Sequence, residues 1–140
     1  MHPPPLNNRR ALLSWTKKLL DEYMVKPRRR YSQNFVVNPR VINDVVSRID
    51  PSLLTMEIGT GLGALSYYLS RRVRKPSLFV EIDPLLAEIS SNYIDKPHVL
   101  IAGDALELDW HVEQIVSNTP YHLTSEILVK IARSNSVKKA

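Results

Sequence analysis

An α/β fold built on a parallel sheet is what this sequence predicts, and three observations predict it. Short apolar runs alternate with stretches of helical periodicity. Three of only four glycines cluster behind the first run. Carboxylates stand at the ends of the next two.

The elements follow in order. Leu12, Leu13, Leu19, Leu20, Tyr23 and Met24 recur at helical spacing and predict an amphipathic helix over about 8–25. Pro27 and the Arg28 to Arg30 run read as a linker. Asn38-Pro39 is a helix cap followed by proline in the first turn, where its missing N–H costs nothing. Val41, Ile42, Val45, Val46 and Ile49 supply that helix's buried face, and Asp50-Pro51 ends it. Leu53 to Ile58 is a short strand running into Gly59-Thr60-Gly61-Leu62-Gly63, after which Ala64 to Val73 resumes helical spacing. Leu78 to Ile82 is the second strand, and Pro84 opens a helix through Tyr93. Val99 to Ala102 is the third strand, Gln114 to Ser117 a weaker fourth, and Leu123 to Arg133 the last helix.

Composition narrows the function. The chain has 140 residues, 44% hydrophobic and 24% charged, enough for one domain or part of one. The absence of cysteine excludes disulfide scaffolds, thiolate metal sites and cysteine nucleophiles. No apolar run approaches the roughly 18 residues of a membrane span, and the start lacks a secretory layout, which predicts a cytoplasmic protein. His98, His111 and His122 show no metal-ligand spacing, so no metal is expected. Residues 1–30 carry eight basic side chains against Asp21 and Glu22, a net of +6, while residues 31–140 carry 11 basic and 12 acidic groups, a net of −1. Trp15, Tyr23 and Tyr31 are interleaved with that basic charge. A basic arm carrying aromatics points to nucleic acid, with Lys26, Arg28, Arg29 and Arg30 as phosphate contacts.

Gly59, Gly61 and Gly63 occupy the carboxyl end of the first strand and Gly103 that of the third, where open parallel sheets hold ligands. Glu81 closes the second strand, placed to accept both hydroxyls of a ribose. Asp83 is read as the cap of the helix that Pro84 begins. Asp104 is placed to receive the exocyclic amine of an adenine. Glu57 stands inside an apolar strand, where a carboxylate needs ligand amines or backbone donors. This loop satisfies both a dinucleotide fingerprint (Gly59, Gly61, Ala64) and the shorter pattern of S-adenosylmethionine sites (Gly59, Gly61, Gly63).

The segment after the fourth strand favours the second class. In a doubly wound sheet the first and fourth strands are neighbours, so Asn118-Thr119-Pro120-Tyr121 belongs beside the glycine loop. It offers an amide oxygen, a proline-fixed carbonyl and an aromatic face, a set suited to a planar base bearing an amine. Two acceptors on the amine hydrogens localise its lone pair toward a methyl sulfonium while Tyr121 stacks on the base. Alignment of this kind can supply roughly 7 to 11 kcal/mol.

Five ordered motifs, Ser32-Gln33-Asn34-Phe35-Val36, Glu57 to Gly63, Glu81-Ile82-Asp83, Gly103-Asp104-Ala105 and Asn118 to Tyr121, are together similar to the ribosomal RNA adenine dimethyltransferases, in one register over about residues 10–140. The basic leader most resembles the branch that methylates two adjacent adenines of small-subunit rRNA. The resemblance implies a Rossmann-like S-adenosylmethionine-dependent methyltransferase fold, truncated after the fourth strand and following helix. Residues 1–30 would be a basic arm and helix, and 31–140 a partial methyltransferase domain without its C-terminal strands and helical domain. It further implies that Asn34 and the Val36 backbone contact the methionine end of the cofactor, with Gly59 and its neighbours beneath it. Glu81 would hold the ribose, Asp104 the adenine amine, and Asn118 both cofactor and target amine. Tyr121 would stack on the target, and Phe35 would wall the base pocket. The implied partner is ribosomal RNA in the small subunit, with no membrane, no metal and a monomer at full length. Ser32, Thr60, Val36 and Thr119 depart from the family's usual residues without removing a needed donor or acceptor. Relatives continue through three more strands, so the fourth strand is expected to be an open edge. Two other readings remain: a non-enzymatic RNA-binding assembly module and an NAD-dependent oxidoreductase.

Overall fold

Residues 2–26, 35–117 and 124–140 are described by the structure, a computed structural model. Among the described residues, five α-helices and four strands run α1 (Arg9–Glu22), α2 (Pro39–Arg48), β1 (Thr55–Ile58), α3 (Ala64–Arg72), β2 (Leu78–Glu81), α4 (Pro84–Ser91), β3 (Val99–Ala102), β4 (Gln114–Ser117) and α5 (Thr124–Arg133). A 3-10 turn at Ala105–Glu107, absent from the sequence reading, links β3 to β4.

All four strands are parallel, in the order β3-β2-β1-β4. Side chains alternate between the two faces, so register decides what each face holds. Met56, Ile58, Val80 and Ile115 point to a layer formed by Trp110, Val112 and Ile127 of α5. On the other face Phe79 packs with Ile49, Leu69 and Val73, flanked by Leu100 and Val116. Glu57 pairs with both Phe79 and Val116 across the ladder, so it stands in an otherwise apolar row beneath α3.

Helix ends follow local chemistry. The Asn38 side chain accepts from the Arg40 N–H at 3.0 Å with Pro39 in the first turn. Asp83 Oδ1 accepts from the Leu85 and Leu86 N–H groups at 2.9 and 3.3 Å, the predicted cap.

Helix α1 is built into the domain. Leu19 and Leu20 pack with Leu62, Leu86, Ile89 and Tyr93, while Leu12 packs with Ile42, Ala64 and Leu65. Its aromatics take part. Trp15 meets Tyr93 edge to face at 5.2 Å and donates its indole N–H to the His2 carbonyl at 3.1 Å, and Tyr23 packs beside them. Trp15 and Tyr23 therefore serve packing, where their interleaving with basic charge had pointed to nucleic-acid contact. The apolar stripe of α1 needs cover, and aromatics at its margin extend that stripe.

The edge of β4 is closed at its start. Ile115 N–H donates to the Lys139 carbonyl at 2.8 Å, and the Lys138 N–H donates to the Glu113 carbonyl at 2.7 Å, a parallel bridge between Gln114 and Lys139. Glu113 anchors this corner. Its carboxylate accepts from the Leu54 N–H and lies 3.0 Å from Lys138 and 3.4 Å from Lys75. The edge expected to be open is thus partly capped by the chain's own last residues.

Candidate functional site

The carboxyl ends of β1, β2 and β3 meet above the sheet, and each contributes a carboxylate or a glycine turn. After Ile58 the chain adopts positive φ at Gly59 (83°), Gly61 (56°) and Gly63 (97°), conformations that cost an L side chain about 1–2 kcal/mol each. The three glycines do different work. Among the described residues, a Cβ on Gly61 would meet the Phe35 ring alone, at 3.6 Å, an ordinary contact that leaves room beside this turn. One on Gly63 would press to 3.1–3.2 Å from Tyr93 and Ser90, so this glycine lets the start of α3 approach α4.

Glu81 is stapled to the loop. One carboxylate oxygen accepts from the Gly61 N–H at 2.7 Å and the other from the Asp83 N–H at 2.9 Å. Burial pushes its pKa above the ordinary carboxylate value, and those two N–H groups pull it back. Each oxygen retains a second lone pair, so Glu81 can orient the loop and still accept from a ligand. A second tie is Thr60, whose hydroxyl lies 2.8 Å from that of Ser90 on α4, both groups buried.

Asp104 follows Gly103 at the end of β3 and is half-buried. Its Oδ1 caps the 3-10 turn through the Leu106 N–H at 2.9 Å, and Oδ2 makes no hydrogen bond among the described residues. Glu57 is 1% exposed and accepts a short hydrogen bond from the Ser66 hydroxyl of α3. Loss of water pushes its pKa up to about 8. The Ser66 donor opposes that rise and the charge of Glu81 adds to it.

A pocket beside the loop is lined by Phe35, Val36, Glu57, Gly59, Gly61 and, from α1, Trp15 and Thr16. The structure thus brings Val36, Phe35, Glu57, Gly59 and Gly61 together, with Glu81 bonded to the same loop and Asp104 beyond β3. Lys26 is exposed past the end of α1. Asn34, Asn118, Pro120, Tyr121, Arg28, Arg29 and Arg30 lie outside the described residues. At the fourth-strand end, Ser117 pairs with Ile58, the residue before Gly59. Thr16, Ser66 and Ser90 were missed in the sequence, as was the place of Trp15 beside the glycine loop. Ser66 sits nine residues beyond Glu57, where an inward hydroxyl on the following helix was a readable signal. Nothing in the sequence links α1 to a loop more than 40 residues away.

Comparison with known proteins agrees with this geometry. The chain is 37% identical over 107 residues to a "Probable ribosomal RNA small subunit methyltransferase A" of Pyrobaculum islandicum, covering 76% of this chain and 45% of that one. It is 32% identical over 137 residues to the "Ribosomal RNA small subunit methyltransferase A" of Leuconostoc mesenteroides, covering 86% and 45%. The chain therefore spans about 45% of the length of these curated relatives. Among solved structures, the 23S rRNA methyltransferase ErmE superposes with a TM-score of 0.63 at 26% identity, over 74% of this chain and 45% of that one. A dimethyladenosine transferase from Plasmodium falciparum gives 0.62 at 21% identity, over 71% and 38%, a likeness of fold. The family model for ribosomal RNA adenine dimethylase matches residues 24–140, and with the two relatives above it establishes that this chain belongs to that family.

Proposed function

We propose that this chain is the cofactor-binding part of an enzyme that methylates the exocyclic amines of adjacent adenines in small-subunit ribosomal RNA, in the cytoplasm, using S-adenosylmethionine. The observation that carries this is the Glu81 staple. A buried carboxylate bonded to the Gly61 N–H shapes a left-handed turn at the sheet's carboxyl edge while keeping acceptor capacity on both oxygens.

The residues present suit that cofactor. Glu81 has a lone pair for each hydroxyl of a ribose, and Asp104 has one oxygen uncommitted among the described residues for an adenine amine. Gly59 and Gly61 allow close backbone approach, and Val36 and Phe35 wall the pocket beside them. When bound, S-adenosylmethionine supplies a methyl group already activated on sulfur. The protein's task is then to bind, align and desolvate. Asn118 and the Pro120 carbonyl are assigned to accept the two amine hydrogens, and Tyr121 to stack on the unstacked adenine, returning about 1–3 kcal/mol of the unstacking cost. Support for that assignment is the pairing of Ser117 with Ile58, by which β4 ends next to the glycine loop. Lys26, Arg28, Arg29 and Arg30 are assigned to rRNA phosphates.

Calorimetric titration with S-adenosylmethionine and with NAD tests the reading. Saturable binding of the first alone is expected, weakened at least tenfold in Asp104→Ala. Binding of NAD instead would refute it. In a full-length form, Tyr121→Ala should spare cofactor binding and abolish transfer of a labelled methyl group to small-subunit rRNA.

A further inference from the structure

Helices α1 and α2 begin alike. Each has an asparagine cap followed by arginine in the first turn, Asn8-Arg9 and Asn38-Pro39-Arg40, and neither has an acidic residue there. Helix starts favour carboxylates, which complement the partial positive charge of the free N–H groups. Arginines at both starts oppose that local preference, and a local conflict repeated twice suggests a use.

The fold brings the two starts to one groove, where Asn7, Asn8, Arg9, Asn38, Arg40 and Asn43 stand beside Leu6 and Pro39, with no carboxylate among the described lining residues. Its walls are held in place. Leu12 and Ile42 are both fully buried in one cluster, with Leu6 against it, and the Tyr68 hydroxyl donates to the Pro4 carbonyl. Asn8 Oδ1 accepts from the Ala11 N–H at 2.8 Å and Asn38 Oδ1 from the Arg40 N–H at 3.0 Å. Because each cap spends its oxygen inward, each offers its amide N–H2 as a donor. Arg9 and Arg40 are exposed and form no ion pair with any described residue. Other arginines do pair: Arg48 with Asp44 and Arg71 with Asp95.

The groove therefore combines two unpaired guanidinium groups with amide donors, and no carboxylate opposes them among its described lining residues. It is open rather than enclosed, and its charged side chains are solvated, so it suits a chain of anionic groups better than one captured ion. It also adjoins the proposed cofactor site. Val36 lines the pocket and Asn38 lines the groove, two residues and at most about 7 Å apart along the chain.

We infer that this groove is a phosphate-backbone track for RNA, with Arg9 and Arg40 each contacting one phosphate and the asparagine amides adding neutral donors. The inference rests on the rRNA reading above and names a contact surface separate from Lys26 and Arg28 to Arg30. Contacts of this kind position an RNA without reading its bases.

The test uses fluorescence anisotropy of the 140-residue chain with a labelled RNA hairpin carrying two adjacent adenines in its loop, titrated at several salt concentrations. The double variant Arg9→Gln/Arg40→Gln is compared with Arg72→Gln/Arg74→Gln, which removes the same charge from the far end of α3. The first pair should flatten the slope of log affinity against log salt by about 1.5, and the second should leave it near the parent's. Thermal shift with S-adenosylmethionine should be unchanged in both, showing that each variant is folded. An unchanged slope in the groove variant, or equal flattening in both, overturns the inference while leaving the rRNA reading intact. Failure of the folded parent to bind the hairpin overturns the RNA reading and the groove with it.

Discussion

Replacing Glu57 by glutamine should make the protein less sensitive to pH, and the size of the effect follows from where the side chain sits. Glu57 is 1% exposed in a sheet row flanked by Phe79 and Val116, with the Ser66 hydroxyl donating to it. Its pKa is pushed up to about 8 from 4.5, chiefly by loss of water. Between those values the unfolded chain releases a proton that the folded chain keeps. This contribution to stability is fully present below pH 4.5 and is lost as pH rises toward 8. Each pH unit in that window costs about 1.4 kcal/mol, so the parent loses about 3 kcal/mol between pH 5 and pH 7 through this one group. Glutamine matches the protonated acid in shape, keeps an oxygen for Ser66 and cannot ionise. Urea unfolding at pH 5, 6 and 7 should show the parent falling more steeply than Glu57→Gln by that amount, and melting temperatures should diverge by roughly 10 °C at pH 7. Parallel pH profiles for the two proteins would refute the reasoning, because they would mean that Glu57 ionises in the fold as readily as in the unfolded chain.

Further predictions concern the loop and the acid limb. Gly63→Ala should destabilise by about 2–4 kcal/mol, combining left-handed strain with the press against Tyr93 and Ser90, whereas Gly61→Ala should cost about 1–2 kcal/mol and weaken S-adenosylmethionine binding more than it lowers the melt. Glu81→Gln turns an amide N–H2 toward one of two backbone donors and should weaken cofactor affinity at least tenfold by calorimetry. Glu113 is held down at about 2, first by the Leu54 N–H and then by Lys138, so the stability it adds is present above pH 4.5 and lost as pH falls toward 2. Melts of Glu113→Gln should accordingly lie below the parent at pH 6 and converge on it only as pH falls to about 2.

The helix caps at Asn38 and Asp83, the extents of β3 and β4, and the glycine turn were legible in the sequence because each depends on residues within a few positions of one another. A side chain that caps the next turn, or a glycine needed for positive φ, leaves its signal where it acts. The family motifs were legible for the same reason. What lay beyond reading was long-range. Helical periodicity in residues 8–25 showed that α1 has an apolar face, but not that the face closes on α4 and turns Trp15 inward. The acid at position 81 pointed to a ligand, whereas the hydrogen bond it accepts from the Gly61 N–H arises only once β2 lies beside β1. Likewise Asn8-Arg9 and Asn38-Pro39-Arg40 are unrelated short segments in the chain, and one groove in the fold. Local backbone chemistry was determined by the sequence alone, whereas the partner of each buried or converging polar group was decided by packing, since only packing sets which distant groups share a space without water.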